Sequence, residues 1–208
     1  MCYYFFTIKG INMIEINNLN KRFASAHVFE NYNKQFQGKR VCLQAANGRG
    51  KTTLLMILAG LEKPQSGLVL YNNEALKSPQ SDVSIASDRI VLPDFLTARQ
   101  IFELSCKALN KDIPEQLITG FNFTEHLNTR FSALSSGNQK KCQLIIAFLK
   151  QAPFLLLDEP SAALDQTSIQ FLLTLLDGYL DDKPNGQIII TSHEPEVFVQ
   201  RGFECTSL

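Results

Sequence analysis

Residues 41–59 read Val41-Cys42-Leu43-Gln44-Ala45-Ala46-Asn47-Gly48-Arg49-Gly50-Lys51-Thr52-Thr53-Leu54-Leu55-Met56-Ile57-Leu58-Ala59, and the reading of this stretch decides the fold. A short apolar run, Val41 to Leu43, feeds a loop with two glycines, and an apolar run of helical character follows and closes at Gly60. Strand, glycine-bearing loop, helix is the context in which a phosphate-binding loop works. Gly48 and Gly50 let backbone N–H groups turn inward and approach phosphate oxygens with no Cβ in the way. A helix starting near Lys51 adds its unpaired N–H groups and the positive end of its dipole. Lys51 supplies a cation for the outer phosphates, and the Thr52 hydroxyl is placed to ligate Mg²⁺. Ala45 stands where the pattern GxxxxGK[ST] has its first glycine. Alone, the stretch is also compatible with an ordinary strand–turn–helix, so the rest of the chain has to decide.

Composition narrows the choice. The 208 residues suffice for one large domain, or for a core domain with a small lobe. Lys plus Arg and Asp plus Glu both number 20. There is therefore no global basic field, and nucleic acid is not expected as a partner. The five cysteines show no CxxC spacing, so neither a disulfide framework nor a zinc site is indicated. Cys42 and Cys142 sit in apolar runs and read as small core residues, which fits a reducing cytosol. No run reaches the apolar length needed to span a bilayer. Met1 to Phe6 is apolar but short and lacks the basic flank of a signal peptide. Met13-Ile14-Glu15-Ile16 is the more natural opening of a first strand, so residues 1–12 are expected to be an N-terminal extension.

Residues 13–45 alternate in the manner of strands, with a turn at Gly38-Lys39 before the strand that enters the loop. Phe23, at a strand end beside Lys21 and Arg22, is the best aromatic for stacking on an adenine ring, although a plain core Phe is about as compatible with the sequence. Turns at Pro64–Gly67 and Asn72-Asn73 bracket a strand over 68–71, and Val83 to Ala86 is another. Helical spacing runs over 97–109 behind an N-cap at Thr97, and Pro114 is expected to break that helix. Residues 114–134 read as a mixed connector. The chain thus loses its strands between about 88 and 150, as an inserted helical lobe does.

Two further stretches carry chemistry. Leu134-Ser135-Ser136-Gly137-Asn138-Gln139 opens an amphipathic helix to Lys150, and its start is a second N-terminus fitted to an anion. Phe154-Leu155-Leu156-Leu157 is a buried parallel-strand run, and it ends in Asp158-Glu159-Pro160. Two adjacent carboxylates at the carboxyl end of a buried strand are costly unless they bind a metal or do chemistry, and that edge is where open α/β sheets bind ligands. Ser161 to Asp165 links to a helix reaching about Asp181. Gly186 to Thr191 is a further buried strand, capped by Ser192-His193-Glu194-Pro195, and the tail reads as a short helix and a last strand.

Together these motifs resemble the nucleotide-binding domain of ATP-binding cassette (ABC) proteins, over nearly everything from residue 13 onward. Ala45 to Thr53 is similar to that family's Walker A loop, Phe154 to Glu159 to its Walker B strand with the following glutamate, Leu134 to Gln139 to its signature, usually LSGGQ, Ser161 to Asp165 to its D-loop, and His193 to its switch histidine. The resemblance implies a P-loop NTPase core of mostly parallel strands with flanking helices, an N-terminal antiparallel β-subdomain and a helical subdomain inserted at about 88–150. It implies ATP and Mg²⁺ as cofactors, held by Phe23, Asn47, Gly48, Arg49, Gly50, Lys51, Thr52 and Thr53. Thr52 and Asp158 are then the metal's residues, Glu159 the base that polarises the attacking water, and His193 and Lys51 the contacts to the γ-phosphate. Ser135, Ser136, Gly137, Asn138 and Asp165 face the nucleotide held on a second copy. The implied assembly is a nucleotide-sandwich homodimer, or a pseudo-dimer with a related ATPase. A separate transmembrane permease then holds the dimer at the inner face of the cell membrane.

Four positions depart from the family pattern. Ala45 replaces a glycine, Ser136 the first signature glycine and Asn138 the signature glutamine. Where the family's Q-loop glutamine belongs, Asp88 is the better of two candidates (Ser87 and Asp88), because it can ligate a cation. Lys51, Thr52, Asp158, Glu159 and His193 remain, so a working ATPase is expected. The short lobe and absence of extra domains suggest a compact exporter-type subunit. The alternatives are a soluble ABC switch acting on other machinery and a regulatory module weak in hydrolysis. The motifs Ala45, Asp88 and Asn138 motivate the latter.

Overall fold

The computed structural model describes residues 14–24, 26–76 and 78–208, so the extension expected at 1–12 lies outside the described residues. The chain runs β1 (Ile14–Phe23), β2 (Ala26–Phe36), β3 (Arg40–Gln44), α1 (Lys51–Leu58), β4 (Ser66–Tyr71), α2 (Pro79–Asp82) and β5 (Val83–Ala86). It continues through α3 (Ala98–Leu109), α4 (Glu115–Gly120), α5 (Ser136–Lys150), β6 (Phe154–Asp158), α6 (Gln166–Gly178), β7 (Gln187–Thr191), α7 (Glu196–Val199) and β8 (Glu204–Ser207).

The apolar runs of β3, β6 and β7 pair in parallel with β5 and β8, in the order β5-β6-β7-β3-β8. These runs have no polar side because both faces of the sheet are covered. The period of two divides their side chains between two cores. Val41, Leu43, Phe154, Leu156 and Ile189 join Leu54, Leu55 and Leu58 of α1 and the inner face of the antiparallel sheet β2-β1-β4. Cys42, Leu155, Leu157, Ile188 and Ile190 join Phe102 of α3, Ile118 of α4, Leu144 and Ile145 of α5 and Leu172 and Leu176 of α6. The fold is therefore the expected α/β core with its antiparallel sheet on one face. Burial pushes the Cys142 thiol, in the second core, up to about 12, so it is a packing residue without thiolate chemistry near neutral pH.

Among the described residues no named strand lies between Ala86 and Phe154. The helices of that stretch have no core of their own; they share one with the parallel sheet. Thr97 caps α3 as expected, in a reciprocal capping box with Gln100. That helix stops at Asn110, which takes φ 51°, four residues before the expected breaker Pro114, because Asn supplies a left-handed cap at low cost. The connector holds α4 and two 3₁₀ turns, and the alternation upstream of Gly38 resolves into β1 and one long strand, β2. The helix expected to reach Asp181 ends at Gly178, because Tyr179 and Leu180 turn into the core.

Candidate functional site

The carboxyl ends of β3, β5, β6 and β7 lie at one edge of the parallel sheet, where a ligand in an open α/β fold belongs. A cleft of about 540 Å³ opens there. It is lined by Phe23 and Val28 of the antiparallel sheet, by the loop and helix start 46–53, and by Asp88, Arg89, Asp158, Glu159 and His193.

The loop has the geometry of an anion cradle. Gly48 and Gly50 take φ 74° and 103°, and Gly50 is the N-cap of α1. With no side chain at that cap, the first N–H groups of the helix face the cleft. Lys51 is 8% exposed, and its Nζ donates to the Ala45 carbonyl at 2.6 Å and lies 4.0 Å from Glu159 Oε1. The ammonium is thus folded back across the cradle, tethered to the backbone of the one loop position that departs from the glycine pattern.

Asp158 is buried and held on both carboxylate oxygens. Ser87 Oγ donates to Oδ2 and Thr191 Oγ1 donates to Oδ1, each at 2.8 Å. The Thr191 hydroxyl also accepts from the Glu159 N–H at 2.9 Å. Glu159 sits at φ 47°, a left-handed backbone that costs a non-glycine residue about 1–2 kcal/mol. The turn swings its carboxylate toward the cleft. His193 N–H donates to Oε2 at 3.1 Å, and His193 Nε2 lies 3.3 Å from Oε1. Lysine, carboxylate and histidine of three separate motifs therefore meet within one small volume.

Thr52 is half-buried in the cleft and Thr53 is buried beside it. The donors facing the cleft, the Thr52 hydroxyl and the Asp158 and Asp88 carboxylates, are hard oxygen ligands of the kind Mg²⁺ takes. Among the described residues no group of three or more His, Cys, Asp or Glu side chains could hold a metal. A cation at these donors would complete its shell with phosphate oxygens and water. Asp88, expected as a metal ligand, lines the cleft but its Oδ1 is paired with Lys140 Nζ at 2.7 Å. Lys140 is 3% exposed and also donates to the Asp158 carbonyl at 3.1 Å.

Five expected contacts lie away from this cleft. Ser135 caps α5, its Oγ accepting from the Asn138 N–H at 3.3 Å, and Ser135 and Ser136 are exposed. Gly137 is fixed by packing, since a Cβ there would come 2.4 Å from the Ala163 carbonyl oxygen. Asp165 does not face the cleft of its own chain. It caps α6 through the Ser168 N–H at 2.8 Å and pairs with Lys141 Nζ of α5 at 2.6 Å. The Lys141 hydrogen bond, then those of Thr167 and Ser168, hold its carboxyl well below the usual range. Sequence reading set Ser87 aside in favour of Asp88 and missed Thr191, Lys140 and Arg89. Only Thr191, at the end of a buried strand, carried a signal that could have found it.

The comparisons with known proteins agree with this geometry. The ABC transporter family model matches residues 33–162. The "Putative hemin import ATP-binding protein HrtA" of Staphylococcus haemolyticus is 28% identical over 204 residues, covering 89% of this chain and 92% of that protein. The thiamine import ATP-binding protein ThiQ of Haemophilus influenzae is 30% identical over 196 residues, covering 90% of each. Among solved structures, the dimeric ATP-binding cassette MJ0796, bound to ADP and Pi in a post-hydrolysis state, superposes with a TM-score of 0.75 at 20% identity, covering 94% of each chain. A strand–P-loop–helix cradle facing a Walker B pair defines a P-loop ATPase. The chain belongs to the ABC transporter family and is an ATP-binding ATPase subunit of that family.

Proposed function

We propose that this chain is the motor of a membrane transporter, binding MgATP in the cleft between Phe23 and His193 and hydrolysing it there. The convergence of Lys51, Asp158, Glu159 and His193 from three motifs carries the reading. The N–H groups of loop 46–53 hold the phosphates and Lys51 leaves the Ala45 carbonyl for them. Thr52 and Asp158, with Asp88 if it leaves Lys140, hold Mg²⁺, which supplies charge neutralisation on the phosphates when bound. Glu159 accepts the proton of the attacking water, and His193, already on the Glu159 carboxylate, orients it.

Ser135 and Ser136 are exposed and Gly137 and Asn138 half-buried at the start of α5, and none of them lines the cleft of its own chain. We propose that they complete the site of a second copy, with Asp165 beside them, in a nucleotide-sandwich dimer or a pseudo-dimer with a related ATPase. The stretch 88–150 acts as the moving lobe, and residues 13–208 as one ATPase domain. Among the described residues no helix is long and apolar enough to cross a membrane. The membrane step therefore falls to a separate permease, at whose cytoplasmic face this chain docks. Relatives named for import give no support to the export direction expected from the chain's compactness, and we assign direction to the permease. The test is ATP turnover of the purified chain beside Glu159→Gln with ATP binding followed in both. A wild type as inactive as the variant while both bind ATP would favour the regulatory module instead.

A further inference from the structure

We propose that Arg89 is a nucleotide-binding residue that closes over the base and the first phosphate, opposite Phe23. The inference rests on the reading that nucleotide fills this cleft. Arg89 lines it, with its Cζ 5.9 Å from the centre of the Phe23 ring and its Nη1 donating to Thr53 Oγ1 at 3.3 Å. The guanidinium thus bridges the aromatic end of the cleft and the first turn of α1. On that reading the terminal phosphate belongs at Lys51 and Glu159, which lie 4.0 Å apart in the same cleft. A nucleotide laid from Phe23 to Lys51 passes Arg89 with its base and the phosphate nearest it, and not with the terminal phosphate.

The chemistry suits that position. A guanidinium stacks on a planar base and also forks onto a phosphate, whereas an ammonium does only the second well. A base sandwiched between two flat groups needs about 3.5 Å to each, roughly 7 Å in all, so the present gap opens by roughly 1 Å to admit it. Lys21 also lies over the Phe23 ring, at 4.7 Å, but it is buried and committed to Glu62 and the Lys63 carbonyl. Arg89 is exposed, and its backbone N–H is anchored on Ser87 Oγ at 3.3 Å, the hydroxyl that holds Asp158. A jaw on the base is therefore tied to the carboxylate at the phosphate end.

The contact is common to ATP and ADP, which sets the test. The purified full chain and its Arg89→Ala, Arg89→Lys and Lys51→Ala variants are assayed for ATP turnover and for ATP and ADP affinity by calorimetry. Arg89→Ala raises the ATP KM and the Kd of both nucleotides together by about tenfold, with kcat within about twofold of wild type. Arg89→Lys, keeping the charge and losing the plane, falls between. Wild-type affinity of Arg89→Ala for both nucleotides overturns the inference, as does a loss confined to ATP, which would make Arg89 a terminal-phosphate contact. Lys51→Ala separates the two readings. If it binds both nucleotides like wild type, the cleft assignment fails and takes the inference with it. If it loses them, the Arg89 result stands on its own.

Discussion

Two constraints meet at Gly50. Its φ of 103° lies in the left-handed region, and a Cβ there would stand 2.6 Å from Val28 Cγ1 and 3.0 Å from Phe29 Cζ on β2. Gly48, with φ 74°, has nothing within 4 Å of the equivalent point. Gly48→Ala therefore costs only backbone strain, about 1–2 kcal/mol, while Gly50→Ala adds a collision between the two layers and costs about 2–4 kcal/mol. Urea unfolding of the two variants tests this, and equal midpoints would contradict it. Both glycines were legible in the sequence as a phosphate loop, but the second reason for Gly50 was not, because Val28 lies 22 residues away on a separate sheet. Asp88 shows the same limit. A carboxylate beside a nucleotide loop reads as a metal ligand, and only the structure shows that one of its oxygens pairs with Lys140, 52 residues on.

At the scale of elements, α5 is held to the N-cap of α6 by an ion pair and to the loop before it by a close approach. Asp165 caps α6 and binds Lys141 of α5, while Gly137 lets the start of α5 close on the Ala163 carbonyl. Gly137→Ala is expected to cost about 1–3 kcal/mol through that collision and to leave ATP affinity of the monomer unchanged. Urea titration and calorimetry check the two halves of the statement. The Asp165 carboxyl is depressed in the folded chain, so the unfolded chain binds its proton first as pH falls. Its contribution is complete above about pH 4 and is lost as pH drops toward the folded value. Asp165→Asn keeps a capping side chain without the charge, so its stability falls less steeply below about pH 4 than wild type's. A parallel acid profile for the two proteins would contradict the assignment. Helix starts such as Thr97 and Ser135 were readable because capping is local. The ends of α3 at Leu109 and α5 at Lys150 also follow the spacing, whereas the end of α6 did not, since the turn at Tyr179 depends on what the next residues bury.

At the scale of the whole molecule, the proposed assembly makes this chain a half-site. Its parallel sheet delivers the phosphate loop, the acid pair and the histidine to one cleft, and the anion-fitted start of α5 faces solvent elsewhere. The layering that does this was legible from three apolar runs and their order, because buried parallel strands leave no other pattern. The division of each run between two cores and the strand order came only from the structure. Trapping the hydrolytic step should convert the half-site into a dimer. In ATP and Mg²⁺, Glu159→Gln is expected to elute from size exclusion at twice the monomer mass and to return to monomer when Mg²⁺ is chelated.

The central claim is that Glu159 hydrolyses ATP in this cleft, and turnover measured together with binding tests it most directly. Wild type is expected to hydrolyse ATP, and Glu159→Gln to bind ATP with similar affinity while turning over about 100-fold slower or less. Equal turnover in the two proteins, at equal ATP occupancy, would contradict the account.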